Sequence, residues 1–166
     1  MKLKRIIMLS VLLSLAVILG YVESFIPAFF IPGVKLGLAN IVVLLCILNF
    51  KWYEAFAVSV LRIIIVSLIL GSFLNVTFFM SLAGGILSFI IMCILSKIKI
   101  LSPIFVSIVG AIAHTIGQIA VAIIVMDTIM VIYYLPFILL MSIPTGLLVG
   151  LITKTIHRTN ILKIDK

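Results

Sequence analysis

Arg62 is the residue in this sequence whose type and position point most directly to chemistry. It lies within an apolar run, eight residues after Glu54, which places it about 12 Å along a helix and near the middle of a membrane. A guanidinium at that depth costs at least about 2.5–3.5 kcal/mol, so it should face the protein interior and have a partner. Two interpretations stay open. Arg62 anchors an anionic substrate group, or it is structural, paired with Glu23 or Asp127 or bonded to freed backbone carbonyls.

His114 and Gln118 form a second polar feature, because a spacing of four residues puts both on one helix face. Ala113 and Gly117 form a small-residue pair near that face, which favours close helix packing with hydrogen-bonding side chains. The alternative is a polar lining of a ligand cavity. A proton relay through His114 is a weaker idea, because no carboxylate within an apolar run stands near it in the sequence.

Two asparagines also interrupt apolar runs. Asn40 lies one turn after Leu36, so it could face the same cavity as Lys35, and Asn75 lies at the top of a later run. Either asparagine could equally form a packing hydrogen bond. The candidate substrate-binding residues are therefore Arg62, Lys35, Asn40, His114, Gln118 and Asn75.

The composition excludes an ordinary soluble domain. Hydrophobic residues make up 66% of the 166 residues and charged residues only 10%, and the mean hydropathy is +1.55. Soluble chains average about 25% charged residues, so this chain has too few charges to cover a globule, and lipid must be its solvent. The net charge of +8 does not indicate a nucleic-acid partner, because the cations stand at the ends of apolar runs.

The apolar runs predict an all-α, polytopic bundle of six transmembrane helices in a single domain, 1–166. Ten of the twelve cations then fall on one side, which the positive-inside rule assigns to the cytoplasm, together with both termini. The expected location is a bacterial cytoplasmic membrane. The predicted helices span about 5–22, 36–50, 54–70, 73–96, 103–126 and 129–153.

The first outer loop, residues 24–35, is apolar but contains prolines and a glycine that prevent one continuous helix. Irregular backbone at membrane depth is tolerated where it is buried in protein or lines a cavity. The loop is therefore predicted to fold over the outer mouth of the bundle as a lid, and the alternative is a tight connection in the headgroups. The lid candidates are Phe25, Pro27, Phe29, Phe30, Pro32 and Gly33.

Small residues four apart recur along the helices and allow close approach of a second helix. The first helix carries two such pairs, Ser10 with Ser14 and Ala16 with Gly20. Similar pairs in the fourth and sixth helices, Gly84 with Ser88 and Gly146 with Gly150, indicate packing within the bundle.

The sequence lacks several motifs that enzymes and metal-binding proteins use. The sequence has no Walker motif and no aspartate-rich cluster for magnesium and a diphosphate. Cys46 and Cys93 lie within apolar runs, as small hydrophobic residues do, and they predict no metal site. We expect no cofactor and no enzymatic activity from this chain.

Several stretches carry a resemblance to a known family. They are Glu-Ser-Phe-Ile-Pro from residue 23, Ile-Pro-Gly-Val-Lys-Leu-Gly-Leu-Ala-Asn-Ile from residue 31, and shorter matches at 71–73, 81–85 and 114–118. The chain resembles the Gx transporter family of small bacterial membrane proteins, also called heptaprenyl diphosphate synthase component I, from the first helix to the sixth.

That family is similar to the S components of energy-coupling factor transporters. The resemblance implies six helices, a first outer loop that closes over a vitamin-like ligand, and partnership with a membrane coupling subunit and two ATPases. In S components an Ala-xxx-Ala-like motif of the first helix contacts the coupling subunit. Here the matching region has Ser10 and Ser14, and Ala16 and Gly20, which are the candidate docking residues.

Three functions follow. The first is a substrate-capturing subunit of such an uptake transporter, with a small micronutrient-like ligand that is anionic, strongly polar or isoprenoid-related. The second is a noncatalytic membrane accessory or scaffold in heptaprenyl diphosphate or quinone metabolism or in an extracytoplasmic redox system. The third is a solitary proton-coupled carrier, for which His114 and Asp127 would be the proton sites.

Overall fold

The computed structural model describes residues 2–25 and 37–159, and within these ranges the chain is helical, with no strand. The predicted all-α architecture of six helices is confirmed. A 3-10 helix, Ile129–Tyr134, precedes the last of them. The six helices are α1 Lys2–Glu23, α2 Asn40–Asn49, α3 Trp52–Ile69, α4 Val76–Leu95, α5 Pro103–Met126 and α6 Leu135–Arg158.

Five of the six helices are long and apolar enough to cross a membrane. Their large apolar side chains cover the outside of the bundle, as expected where lipid replaces water as the solvent. The chain is therefore a multi-pass membrane protein.

The exception is α2, which is shorter than the predicted span of 36–50. Its ten residues extend about 15 Å, half the thickness of a hydrocarbon core. Gly37 precedes it with φ of +85°, a left-handed conformation that interrupts helical geometry. The helix ends at Phe50, whose backbone is extended and whose N–H donates to the Cys46 carbonyl at 2.8 Å. As a result α2 starts near mid-depth and runs to the end of the bundle where α3 begins.

α2 is also the most enclosed helix of the bundle. Nine of its ten residues are buried, in contact with apolar side chains of α1, α3, α4 and α5. Because the other helices surround it, any polar group on α2 must find its partner inside the protein.

The last predicted helix, 129–153, differs from the structure at both ends. Its first six residues form the 3-10 helix, and α6 continues to Arg158. Pro136 explains why the α-helix does not begin at residue 129. Proline has no N–H to donate to the Ile132 carbonyl, and its ring would clash with that carbonyl in an α-helix. The Leu135 N–H bonds the Ile132 carbonyl instead, with 3-10 spacing.

Glycines allow α5 to lie in backbone contact with both α4 and α6. A Cβ atom on Gly117 would lie 2.8 Å from the Ala83 carbonyl oxygen, and one on Gly150 would lie 2.6 Å from the Ile104 Cα. Such distances leave no room for any side chain. The packing predicted from the small-residue pairs of the fourth and sixth helices is confirmed.

Candidate functional site

Arg62 is buried in the middle of the bundle, next to the start of α2. The Arg62 side chain is 7% exposed, and its Nη2 donates a hydrogen bond to the Asn40 Oδ1 at 2.9 Å. Asn40 in turn lies 3.4 Å from the Ser88 hydroxyl on α4, to which its Nδ2 donates. The short α2 makes this contact possible, because its first residue reaches the depth of Arg62 and not the membrane surface.

Glu23 supplies a negative charge to the same region. It is the last residue of α1, is 3% exposed, and accepts a hydrogen bond from the Gly37 N–H. Its carboxylate attracts the Arg62 guanidinium. Of the two acidic partners considered for Arg62, the structure brings Glu23 near. Asp127 lies exposed at the end of α5.

Arg62 and Glu23 line one small cavity in the half of the bundle away from the α2–α3 and α4–α5 loops. Its volume of about 20 Å³ is enough for roughly one water molecule. A larger ligand therefore requires the surrounding helices to separate. The lining includes Gly20, Glu23, Gly37, Arg62, Ser81 and His114.

His114 belongs to this site, and Gln118 lies directly beside it. Both are buried and face α4, since a Cβ atom on Gly84 would lie 3.1 Å from the His114 Cε1 and 2.8 Å from the Gln118 Cγ. The glycine at position 84 thus lets the two polar side chains pack against the α4 backbone. Of the predicted site residues, Arg62, Asn40 and His114 come together, and Gln118 adjoins them.

The remaining predicted binding residues lie elsewhere or outside the described ranges. Asn75 is exposed and caps α4, accepting a hydrogen bond from the Val76 N–H at 2.7 Å, so it is not near Arg62. Phe25 is exposed and packs edge-to-face on Tyr21, with ring centroids 4.9 Å apart. The residues outside the described ranges are Lys35, Pro27, Phe29, Phe30, Pro32 and Gly33.

The two small-residue pairs of α1 face opposite ways. Ser10 and Ser14 are exposed on the outside of the bundle, and the Ser14 hydroxyl donates to the Ser10 carbonyl at 3.0 Å. Ala16 is 0% exposed, and a Cβ atom on Gly20 would lie 3.1 Å from the Val66 Cγ2. Ala16 and Gly20 therefore pack within the bundle, and only the serine pair lies on a surface open to a partner.

Glu23 and Ser88 are the site residues that the sequence interpretation did not include. The sequence did offer Glu23 as a structural partner for Arg62, and Ser88 as a packing residue. In the sequence, Glu23 and Ser88 are polar residues at the end of an apolar run or within one. Asn75 has the same feature but lies elsewhere in the structure, so this pattern alone does not identify the site residues. Among the described residues no group of three or more His, Cys, Asp or Glu side chains is placed to hold a metal ion.

Comparison with known families agrees with this architecture. The family model described as heptaprenyl diphosphate synthase component I matches residues 12–156, which run from α1 into α6. The chain belongs to that family. The resemblance found in the sequence is confirmed over nearly the whole chain, and all six helices of this family member lie wholly or partly within the matched range. No curated protein and no solved structure matches the chain.

Proposed function

We propose that this family member is the substrate-capturing membrane subunit of an uptake transporter of the energy-coupling factor type. Its ligand would be a small solute with an anionic group, bound in the outer half of the bundle. The observation that carries the proposal is Arg62, a buried cation beside a cavity at the start of a half-length helix. A charge at that depth is costly and is kept mainly where it pairs or serves a substrate path.

The start of α2 adds to the positive potential around Arg62. A helix N-terminus carries a partial positive charge and N–H groups that favour anions. Half-length helices that end near mid-membrane serve this purpose in transporters. The N-cap residue Ala39 offers no side-chain cap, and the Glu23 carboxylate binds the Gly37 N–H just before the helix. The Glu23 carboxylate thus lies at a position where, on this proposal, the anionic group of a ligand would bind.

Ligand entry on this proposal requires the cavity to widen. The cavity borders α1, α3, α4, α5 and the turn before α2, so separating these elements on the outer side would open it. The Glu23 carboxylate connects the end of α1 to that turn, and an anionic ligand would compete with it for Arg62. Energy for release would come from two ATPases acting through a coupling subunit, by rocking or toppling of the bundle.

The test is purification of the tagged full-length protein in mild detergent, with mass spectrometry of the proteins bound to it. Recovery of a coupling subunit with two ATPases would support the transport role. Recovery of a prenyl synthase without them would contradict it.

The exposed serines of α1 give this test a specific variant. We expect Ser10→Leu with Ser14→Leu to lower recovery of the coupling subunit at least tenfold, because larger side chains prevent close helix approach. Thr155→Leu is the matched control, since Thr155 is also exposed and bonds the carbonyl four residues earlier, at 2.9 Å. If the serine variant recovered as much coupling subunit as the wild type, the serine face of α1 would not be the docking surface.

A second candidate role is that of a noncatalytic membrane accessory to a prenyl diphosphate synthase. The observation that favours it is the family's own description as a synthase component. On this alternative the chain would hold a soluble enzyme at the membrane, and Arg62 would be a structural residue. The same purification separates the two roles.

A further inference from the structure

The cavity beside Arg62 has charges of both signs in its wall. Arg62 lines it from α3, and Glu23 lines it from the end of α1. The two are joined through the turn before α2, because the Glu23 carboxylate accepts from the Gly37 N–H and the Asn40 Oδ1 accepts from the Arg62 Nη2 at 2.9 Å. A cavity for simple anions needs the cation alone. The carboxylate therefore bears on the kind of solute that the cavity accepts.

The Glu23 carboxylate disfavours a simple anion at Arg62. An anion that takes its place on the guanidinium still lies beside it, because both residues line the same small cavity. Two like charges repel, and burial strengthens the repulsion because water screens it poorly. A solute with an ammonium group next to its anionic group replaces this repulsion with an attraction.

The cavity also has hydrogen-bond partners for both groups of such a solute. The Arg62 Nε is buried and has no hydrogen-bond partner among the described residues, so the guanidinium keeps a donor for an anionic group. Ser81 lines the cavity as well, and its hydroxyl donates to the Thr77 carbonyl at 2.8 Å. With its hydrogen used in this way, the Ser81 oxygen offers only lone pairs to a ligand. An ammonium group has three donors and no acceptor, which suits both Ser81 and Glu23.

Building on the proposed capture role, we infer that the solute bound at Arg62 is a small zwitterion. Its anionic group takes the place of Glu23 on the guanidinium, and its ammonium group pairs with the displaced carboxylate and with Ser81. Glu23 then pairs with Arg62 in the empty cavity and with the ligand in the filled one. The charge of the site is the same in both states, because a zwitterion adds one charge of each sign. The carboxylate that attracts the ammonium group rejects a simple anion of the same size.

The test compares solutes that differ only in the ammonium group. Glycine, β-alanine and 4-aminobutyrate would be titrated alongside acetate, propionate and butyrate, at equal ionic strength, with the full-length Cys93→Ser protein in phosphatidylcholine nanodiscs. Binding is measured as slower reaction of Cys46 with a thiol reagent, since Cys46 is 0% exposed and a ligand of the closed bundle reduces its opening. We expect the best zwitterion to have an apparent Kd at least tenfold below that of the carboxylate of equal length.

Substitution of Glu23 should reverse this preference. Glu23→Gln removes the negative charge, and its amide oxygen can still accept from the Gly37 N–H. In this variant the best zwitterion should bind at least tenfold more weakly, and the carboxylate of equal length should bind at least as tightly as the zwitterion. Glu23→Asp keeps the charge and should keep the wild-type preference. Glu54→Gln is the matched control, because Glu54 pairs with Arg5 at the opposite end of the bundle, at 2.6 Å, and should change either Kd less than twofold.

The outcomes separate the class of solute from the capture role itself. Equal or tighter binding of the carboxylates to the wild-type cavity would overturn the zwitterion and leave anion capture at Arg62 standing. An unchanged preference in Glu23→Gln would do the same. Protection of Cys46 that persists in Glu23→Gln with Arg62→Met would place the binding elsewhere and contradict both proposals. Absence of protection by all six solutes would also contradict both.

Discussion

Replacing Arg62 with methionine is expected to lower the free energy of unfolding by about 3–5 kcal/mol, the usual cost of breaking a buried charge pair. The variant leaves the Glu23 carboxylate buried at 3% exposure without its attracting cation. It also removes the donor to the Asn40 side-chain oxygen. The Glu23 carboxylate and the Asn40 side chain are both buried, so water cannot replace the lost interactions and each loss is costly.

The measurement is unfolding by sodium dodecyl sulfate, followed by reaction of a thiol reagent with Cys46 in a Cys93→Ser background. Cys46 is 0% exposed, so its reaction reports the opening of the bundle around α2. Leu61→Met is the matched control, because Leu61 is the exposed neighbour of Arg62 on α3. We expect the control to change the free energy of unfolding by less than about 0.5 kcal/mol.

A double-mutant cycle identifies the partner. Glu23→Gln with Arg62→Met removes both charges, and we expect its cost to be smaller than the sum of the single variants by about 0.5–3 kcal/mol, the range for groups in one network. Additive costs would show that Glu23 and Arg62 act independently. In that case the electrostatic account of the cavity would be wrong.

The same cycle distinguishes a structural from a ligand-binding role of Arg62. The double variant should keep a folded bundle and still lack the cation that an anionic ligand needs. A purely structural Arg62 would leave uptake intact once folding is restored. Loss of uptake in a folded double variant would support the proposed anchor.

The sequence predicted helices best where their end signals are local. Both bounds of α5 agree with the prediction, and the structure shows why. The Ser102 hydroxyl accepts a hydrogen bond from the Phe105 N–H at 3.2 Å, Pro103 stands at the first position, and Asp127 ends the helix in a left-handed conformation. These are standard signals for the start and end of a helix. α2 was predicted too long because its start depends on the backbone at Gly37, which an apolar run does not reveal.

The rotation of each helix about its axis was harder to predict. In a membrane bundle both the lipid-facing and the protein-facing sides are apolar, so the contrast that orients a soluble helix is weak. α1 shows the difficulty, because the two small-residue pairs looked equivalent. The structure places Ser10 and Ser14 outside, and Ala16 and Gly20 inside. Only contacts with α2 and α3 distinguish them.

Charge was the better guide to the site. The high cost of a buried guanidinium predicted that Arg62 faces inward with a partner, and the structure shows this arrangement. The choice between Glu23 and Asp127 needed three-dimensional information, because both lie at helix ends on the same side of the bundle. Asn75 shows the limit of this reasoning, since a polar residue at a helix end can serve as a cap.

The second large effect is expected at the contact between α4 and α5, where Gly117→Leu should prevent normal assembly of the bundle. A Cβ atom at this position would lie 2.8 Å from the Ala83 carbonyl oxygen and 2.9 Å from the Gly84 Cα. Backbone atoms cannot rotate away as a side chain can, so the two helices must move apart. Overpacking usually costs about 1–3 kcal/mol, and we expect at least the upper end of that range here.

Ala120→Leu is the control for this variant, because it adds a larger side chain on the exposed face of the same helix. The SDS titration with Cys46 as the reporter should show normal stability for Ala120→Leu and a loss of about 3 kcal/mol or more for Gly117→Leu. Equal stability of the two variants would show that α4 and α5 can separate without cost. Because His114 and Gln118 flank Gly117 on the face toward α4, the helix contact and the polar site share one interface. Any substitution that separates these helices must therefore also displace His114 from the Arg62 cavity.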